Sequence, residues 1–317
     1  MSATVSPENI LKDLGNLWVD LARQGGQGGS GVLRACTMTL VVLCGEHDDQ
    51  QAIGETIARL MPQHPSRAIV VRVSRSAEWS LQARVFAQCW TPFGERRHIC
   101  AEEIEITSAE SALSDVAPLI LPLPVADLPV VLWCRDVRLL DVPGFAGIES
   151  LANRVIFNDA PVPIVQSVLT QGKAVGDLAW TRLTRWRELI ARIFANRGLA
   201  VLPNFSQVKV RWPAPSGYYM AAWLEDGLRR AGAQPRVEVD IAPAHERRIE
   251  LVSPDLSVTV SQCSGQCAEI RINDAAHQSV LPETSEYSLM REELAIAGHD
   301  PVFERVLPAA ARLAVSS

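Results

Sequence analysis

The chain has 317 residues, enough for about two domains at roughly 100–200 residues each. Hydrophobic residues make up 48% and charged residues 21%, which excludes disordered, collagen-like and low-complexity classes. With 30 Lys and Arg against 36 Asp and Glu, the net charge of −6 argues against a general nucleic-acid binder.

Ser6-Pro7-Glu8 opens the first helix, with Ser as N-cap, Pro at the first helical position and Glu at the positive end of the dipole. Ile10, Leu11, Leu14, Leu17, Trp18 and Leu21 then fall on one helical stripe. No basic stretch followed by an apolar run precedes them, so no signal peptide is expected. Gly25 to Gly31 reads as a flexible linker. It also matches G-x-G-x-x-G at Gly26, Gly28 and Gly31, but a helix precedes it and a strand follows, the reverse of a dinucleotide fingerprint.

Beyond the linker the pattern alternates. Cys36–Cys44 is an expected buried strand, Asp49–Leu60 a helix and Ala68–Val73 another buried strand. Leu81–Trp90 and His98–Thr107 form an expected hairpin joined through Thr91-Pro92-Phe93-Gly94-Glu95. Val116–Cys134 is 19 residues long with one charge, Asp127, but Pro118, Pro122, Pro124 and Pro129 argue against a membrane-spanning helix. It reads as a helix end, a Pro-rich crossover and the strand Leu128–Cys134, and Arg154–Phe157 is a further short strand.

From about residue 171 the character changes. Asp177 is expected to cap one long helix running to about Asn196, closed by Gly198. A strand at Gln207–Trp212, a helix at Gly217–Ala231, strands near 236–241, 247–252, 256–262 and 267–272, and helices near 286–297 and 301–313 complete the chain. The organisation is thus an N-terminal helix and linker (1–31), an α/β domain with a mixed sheet covered by helices (32–170), and an α+β domain with an antiparallel sheet (171–317).

Glu46-His47-Asp48-Asp49 concentrates metal-capable side chains on consecutive positions, where helical ligand pairs need i, i+3 or i+4 spacing; capping of the next helix is the simpler reading. P-loop, G-x-S-x-G and HExxH signatures are lacking, and His47, His64, His98, His245, His277 and His299 are scattered. No catalytic residue, metal ligand or cofactor site is expected, and the protein reads as a cytoplasmic non-enzyme. The seven Cys are not a secreted-type framework, although Cys263-Ser264-Gly265-Gln266-Cys267 could form a redox pair across its glycine.

The charge is unevenly placed. Residues 1–170 carry 13 basic and 19 acidic side chains, residues 171–211 carry 8 and 2, and residues 212–317 carry 9 and 15. The middle stretch is therefore +6 between two segments of −6, an asymmetry that reports on partners. Within it Trp180, Leu183, Arg187 and Ile190 share a helical face, and Arg182 and Trp186 are an i, i+4 pair able to stack. Trp and Arg at this density suit an interface anchor, while the competing reading makes both Trp core and the Arg a solvated face.

The residues of this stretch, GDLAWTRLTRWRELI at Gly176–Ile190, closely resemble the helix-opening motif of the OpcA family of glucose-6-phosphate dehydrogenase assembly proteins. Thr39–Leu43, His64–Ile69, Pro92-Phe93-Gly94, Ile99–Ile106 and the run from Leu119 through Asp127 to Trp133 resemble that family too. The resemblance implies a non-catalytic partner that binds glucose-6-phosphate dehydrogenase and promotes its assembly or active conformation. Asp177, Trp180, Arg182, Arg185, Trp186, Arg187 and Arg192 are the expected contact residues, with no nucleic-acid or membrane partner. The N-terminal helix could dock on the same partner or on the protein's own body. The alternative is a sugar-phosphate-binding protein or enzyme that uses the Arg182, Arg185 and Arg187 cluster.

Overall fold

The computed structural model describes residues 5–26, 32–76, 79–90, 98–243, 246–296 and 298–316. Most of the Gly-rich stretch, the connection at residues 91–97 and His245 therefore lie outside the described residues. The chain divides into two compact units, Met1–Asn158 and Asp159–Ser317.

The first unit contains α1 (Pro7–Gly26), β1 (Val32–Arg34), β2 (Met38–Gly45), α2 (Gln50–Leu60), β3 (Ser66–Ser74), β4 (Gln82–Trp90), β5 (His98–Ala109), α3 (Val116–Ile120), β6 (Val130–Cys134), α4 (Phe145–Ser150) and β7 (Arg154–Phe157). Its strands run β5-β3-β2-β6-β7 in parallel, with β4 antiparallel to β5 and β1 parallel to the start of β5. The sheet is mixed, and its central strands β2 and β6 are buried along their whole length, on both faces, which suits their mainly apolar sequence. Asp49 caps α2: its Oδ1 accepts from the N–H groups of Gln51 at 2.9 Å and Ala52 at 3.2 Å.

The amphipathic first helix docks on its own unit, against β4 and β1, and α1 continues through the first two glycines of the expected linker. Ile10 and Leu14 are buried beneath it. Its Trp18 donates an indole hydrogen bond to Glu102, a carboxylate only 3% exposed that also holds Arg67 at 2.5 Å and Arg34 at 2.7 Å.

The second unit contains α5 (Val162–Thr170), β8 (Ala174–Asp177), α6 (Leu178–Thr181), α7 (Thr184–Arg197), β9 (Gln207–Trp212), α8 (Ser216–Arg230), β10 (Arg236–Ile241), β11 (Arg248–Val252), β12 (Ser257–Gln262), β13 (Cys267–Ile272), β14 (Ala275–Val280), α9 (Glu286–Leu294) and α10 (Pro301–Ser316). A sheet of order β10-β9-β11-β12-β13-β14 buries one face under α8, which is backed by α10. Alternation along β9 is strict: Val208, Val210 and Trp212 face the core, and Lys209 and Arg211 face water.

This sheet differs from the purely antiparallel expectation at one edge. β10 runs parallel to β9, because α8 connects them as a crossover rather than a hairpin. The edge strand β14 was not expected, since AAHQSV lies almost wholly in solvent and carries no apolar alternation. The expected single helix from Asp177 to Asn196 is two helices. Leu183 N–H bonds to the Trp180 carbonyl at 3.0 Å, a tightened i to i+3 turn that separates α6 from α7. The break lets Trp180 and Trp186 pack into different neighbourhoods of the same unit. Gly198, at φ 85°, ends α7 as expected.

Candidate partner-binding site

Asp177 ends β8 in extended conformation, and its Oδ1 accepts from Ala179 N–H at 2.8 Å to cap α6. The same oxygen accepts from Asp159 N–H at 3.1 Å, and Oδ2 accepts from the Tyr219 hydroxyl at 3.0 Å. Asp177 is wholly buried, and burial, reinforced by the nearby Asp159 charge, pushes its carboxyl up to about 7.

Trp180 is also core. Its ring stacks on Phe303 at 5.2 Å, meets Tyr219 edge-on and donates to Asp300 at 3.0 Å. Arg187 lies over its face at 3.4 Å from the ring centre, and burial lowers the guanidinium pKa to about 10. Trp186 packs edge-on against Trp212 at 4.7 Å. The cation–π pair of this segment is thus Arg187 with Trp180. Arg182, expected to stack on Trp186, instead bonds Asp159 at 2.8 Å because the turn after α6 aims it there.

Of the seven expected contact residues, Asp177, Trp180, Trp186 and Arg187 therefore hold the second unit together, and Arg182, Arg185 and Arg192 reach solvent. Arg185 pairs with Glu188 at 3.0 Å within α7, leaving its side chain 58% exposed. Arg182 and Arg185 border a cavity of about 500 Å³ whose wall includes Trp186, Arg247 and Glu283. Arg247 had no signal in the sequence, since its place in the cavity depends on the pairing of β11 with β12.

Two models of one family match the chain. One, described as the glucose-6-phosphate dehydrogenase subunit N-terminal domain, matches residues 57–171; the other, the subunit's C-terminal domain, matches residues 173–307. The chain belongs to the OpcA family.

An OxPP cycle protein named OpcA from Synechocystis sp. is 27% identical over 152 residues, which cover 45% of this chain and 31% of that relative. Its Nostoc punctiforme namesake is 25% identical over 220 residues, covering 65% and 44%. This OpcA-family chain thus aligns with less than half the length of these curated relatives. The solved structure of KijD10, a 3-ketoreductase from Actinomadura kijaniata in complex with NADP and TDP-benzene, is similar in fold, with a TM-score of 0.50 at 11% identity. That alignment covers 88% of this chain and 96% of KijD10.

Open α/β sheets bind ligands where strand order reverses, here between β2 and β6. In this OpcA-family member that crevice is filled, with a free volume of about 10 Å³ among Gly45, Glu46, Asp136 and Arg138. The absence of a side chain at Gly45 leaves room for the Asp136 carboxylate, which a Cβ there would displace. Asp136 chelates Arg138 at 2.7 and 2.8 Å, and Asp48 accepts from Gly45 N–H at 2.8 Å and holds Arg135 at 3.2 Å. The turn after β2 thus presents carboxylates where a dinucleotide fold presents glycine N–H groups to a pyrophosphate.

Two cysteine pairs are bonded. Cys263 and Cys267 have Cα atoms 5.5 Å apart across the β12–β13 turn. Cys89 and Cys100 were not paired in the sequence reading, although they stand opposite each other in the β4–β5 hairpin at 4.1 Å. The expected hairpin, with Trp90 opposite His98, would have set Cys89 against Ile99; the actual register is shifted by one residue and brings Cys89 opposite Cys100. Cys44 and Cys134 are buried, and burial pushes the Cys44 thiol up to about 12.

Proposed function

We propose that this chain is a cytoplasmic, non-catalytic subunit that binds glucose-6-phosphate dehydrogenase in the oxidative pentose phosphate pathway and favours its assembled, active state. The observation that carries the reading is that both family models, which together span most of the chain, describe domains of a subunit of that dehydrogenase. The filled switch-point crevice supports a binding role over dinucleotide chemistry. An effector raises activity only by binding the active state more tightly than the inactive one.

Arg182, Arg185 and Arg192 are the exposed cations of the motif and would face an acidic surface of the enzyme. The test is capture of the cognate dehydrogenase on the immobilised chain, with its activity measured at low substrate with and without the chain. The double substitution Arg182→Ala with Arg185→Ala should weaken activation about tenfold and flatten its dependence on salt. An equally active, folded double variant would place the contact elsewhere; failure of capture would end the subunit reading itself.

The Cys263–Cys267 pair is proposed as a redox pair of this unit. Alkylation of the native chain should leave both thiols unmodified until a dithiol reductant is added, and then label both. Full labelling of both without reductant would remove the pair from consideration.

A further inference from the structure

We infer that the cavity between α7, the end of β9 and the segment after β14 binds a small phosphorylated, hydroxyl-bearing molecule of sugar-phosphate size. Its volume of about 500 Å³ lies within the roughly 300–1,000 Å³ usual for small-ligand sites. Every lining residue belongs to the second unit.

The charge arrangement selects an anion. Arg182, Arg185 and Arg247 line one cavity, and Arg182 and Arg247 are close enough for each charge to oppose the other. Arg182 has Asp159 and Arg185 has Glu188 as counter-ions. Arg247 has no carboxylate in hydrogen-bond contact among the described residues: its hydrogen bond goes to the neutral amide oxygen of Gln262 at 2.5 Å, and Glu283 of the same cavity wall attracts it only through space. It is half-buried with Trp212 beneath it at 5.9 Å, and burial together with Arg182 lowers its guanidinium pKa. A half-buried guanidinium facing a like charge, with one of five N–H donors spent on an amide and only the through-space attraction of Glu283 to offset it, gains from an arriving anion. A phosphate accepts such a fork bidentately and relieves the repulsion at once.

The remaining walls select what the phosphate is attached to. Trp186 and Trp212 give one side an apolar edge, while Asp159, Glu283 and Thr284 offer acceptors and a donor for hydroxyl groups. The Cys263–Cys267 turn supports the site from behind, since Gln262 holds Arg247 and the Gln266 carbonyl accepts from Leu281 N–H at 2.8 Å.

The test is titration calorimetry of the full chain, without any dehydrogenase, against glucose 6-phosphate, ribose 5-phosphate, inorganic phosphate and glucose. A sugar phosphate should bind one to one, inorganic phosphate more weakly and glucose not at all. Arg247→Gln should weaken binding at least about tenfold, and Arg271→Gln, further along β13, outside the cavity lining and paired with Glu269, should not. Should Arg247→Gln fail to fold, Arg182→Gln replaces it. No saturation at about 10 mM ligand, or unchanged binding in a folded Arg247→Gln, overturns the site. Inorganic phosphate binding as tightly as both sugar phosphates overturns the sugar part of the assignment. The inference does not rest on the subunit reading: Arg247→Gln should still capture the dehydrogenase.

Discussion

Glu102→Gln should cost the first unit about 3–5 kcal/mol, read as a lower urea midpoint with little change in slope. Glu102 is 3% exposed and serves donors from three separate segments: Trp18 of α1, Arg34 of β1 and Arg67 of β3. Arg67 is itself buried and gives a second hydrogen bond to the Leu123 carbonyl, so loss of the carboxylate strands a guanidinium in the core. Arg34 also lies over the Trp18 ring at 5.5 Å, so the same change loosens α1, and its amides should exchange faster. Replacing both partners, Glu102→Leu with Arg67→Met, should cost less than Glu102→Gln alone, because no buried charge remains unpaired. A loss below about 1 kcal/mol in Glu102→Gln would show the cluster to be energetically idle.

Asp177 should make the second unit less stable as pH rises from about 4 to 7. Its carboxyl ionises near the usual aspartate value in the unfolded chain but only at about 7 when folded. The folded state therefore holds the extra proton across that interval, and the stabilisation present below pH 4 is lost as pH climbs through 7. The interval corresponds to roughly 4 kcal/mol at most. Asp177→Asn should remove this pH dependence and raise the melting temperature at pH 8. Its side-chain oxygen can still cap α6, and its amide can donate to the Tyr219 hydroxyl. Asp177→Ala loses the cap and leaves a buried hydroxyl without its acceptor, at a cost of about 2–4 kcal/mol. An Asp177→Asn variant melting below the parent at pH 8 would contradict this account.

Most strands were legible because each repeats one pattern, while the short β1 and β8 and the solvent-exposed edge strand β14 carry none. Leu40–Cys44 and Val130–Cys134 are continuously apolar, as buried parallel strands tend to be, and β9 alternates as a one-sided sheet must. A carboxylate cap at Asp48 or Asp49 was legible from residue type, and the structure gives it to Asp49. The helix break at Leu183 was not, because every residue near it suits a helix, and the tightened turn answers to where Phe303 and Trp212 stand. The site was legible in part. Composition located the Trp- and Arg-rich motif but could not separate a buried Trp180 from an exposed Arg185, nor bring Arg247 beside Arg182 from a strand some 60 residues away.

The strict alternation of β9 has a consequence for how the second sheet assembles. Lys209 stands opposite Glu238 on one side and Glu250 on the other, and Arg211 stands opposite Asp240 on one side and Arg248 on the other, so the wet face is built from charges, mostly of opposite sign. Sliding β9 by a single residue would turn Val208, Val210 and Trp212 to water and drive Lys209 and Arg211 beneath α8. The charges that swell the cationic count of residues 171–211 are thus partly a ratchet tooth: they leave the strand one seat in the sheet and make every neighbouring seat untenable.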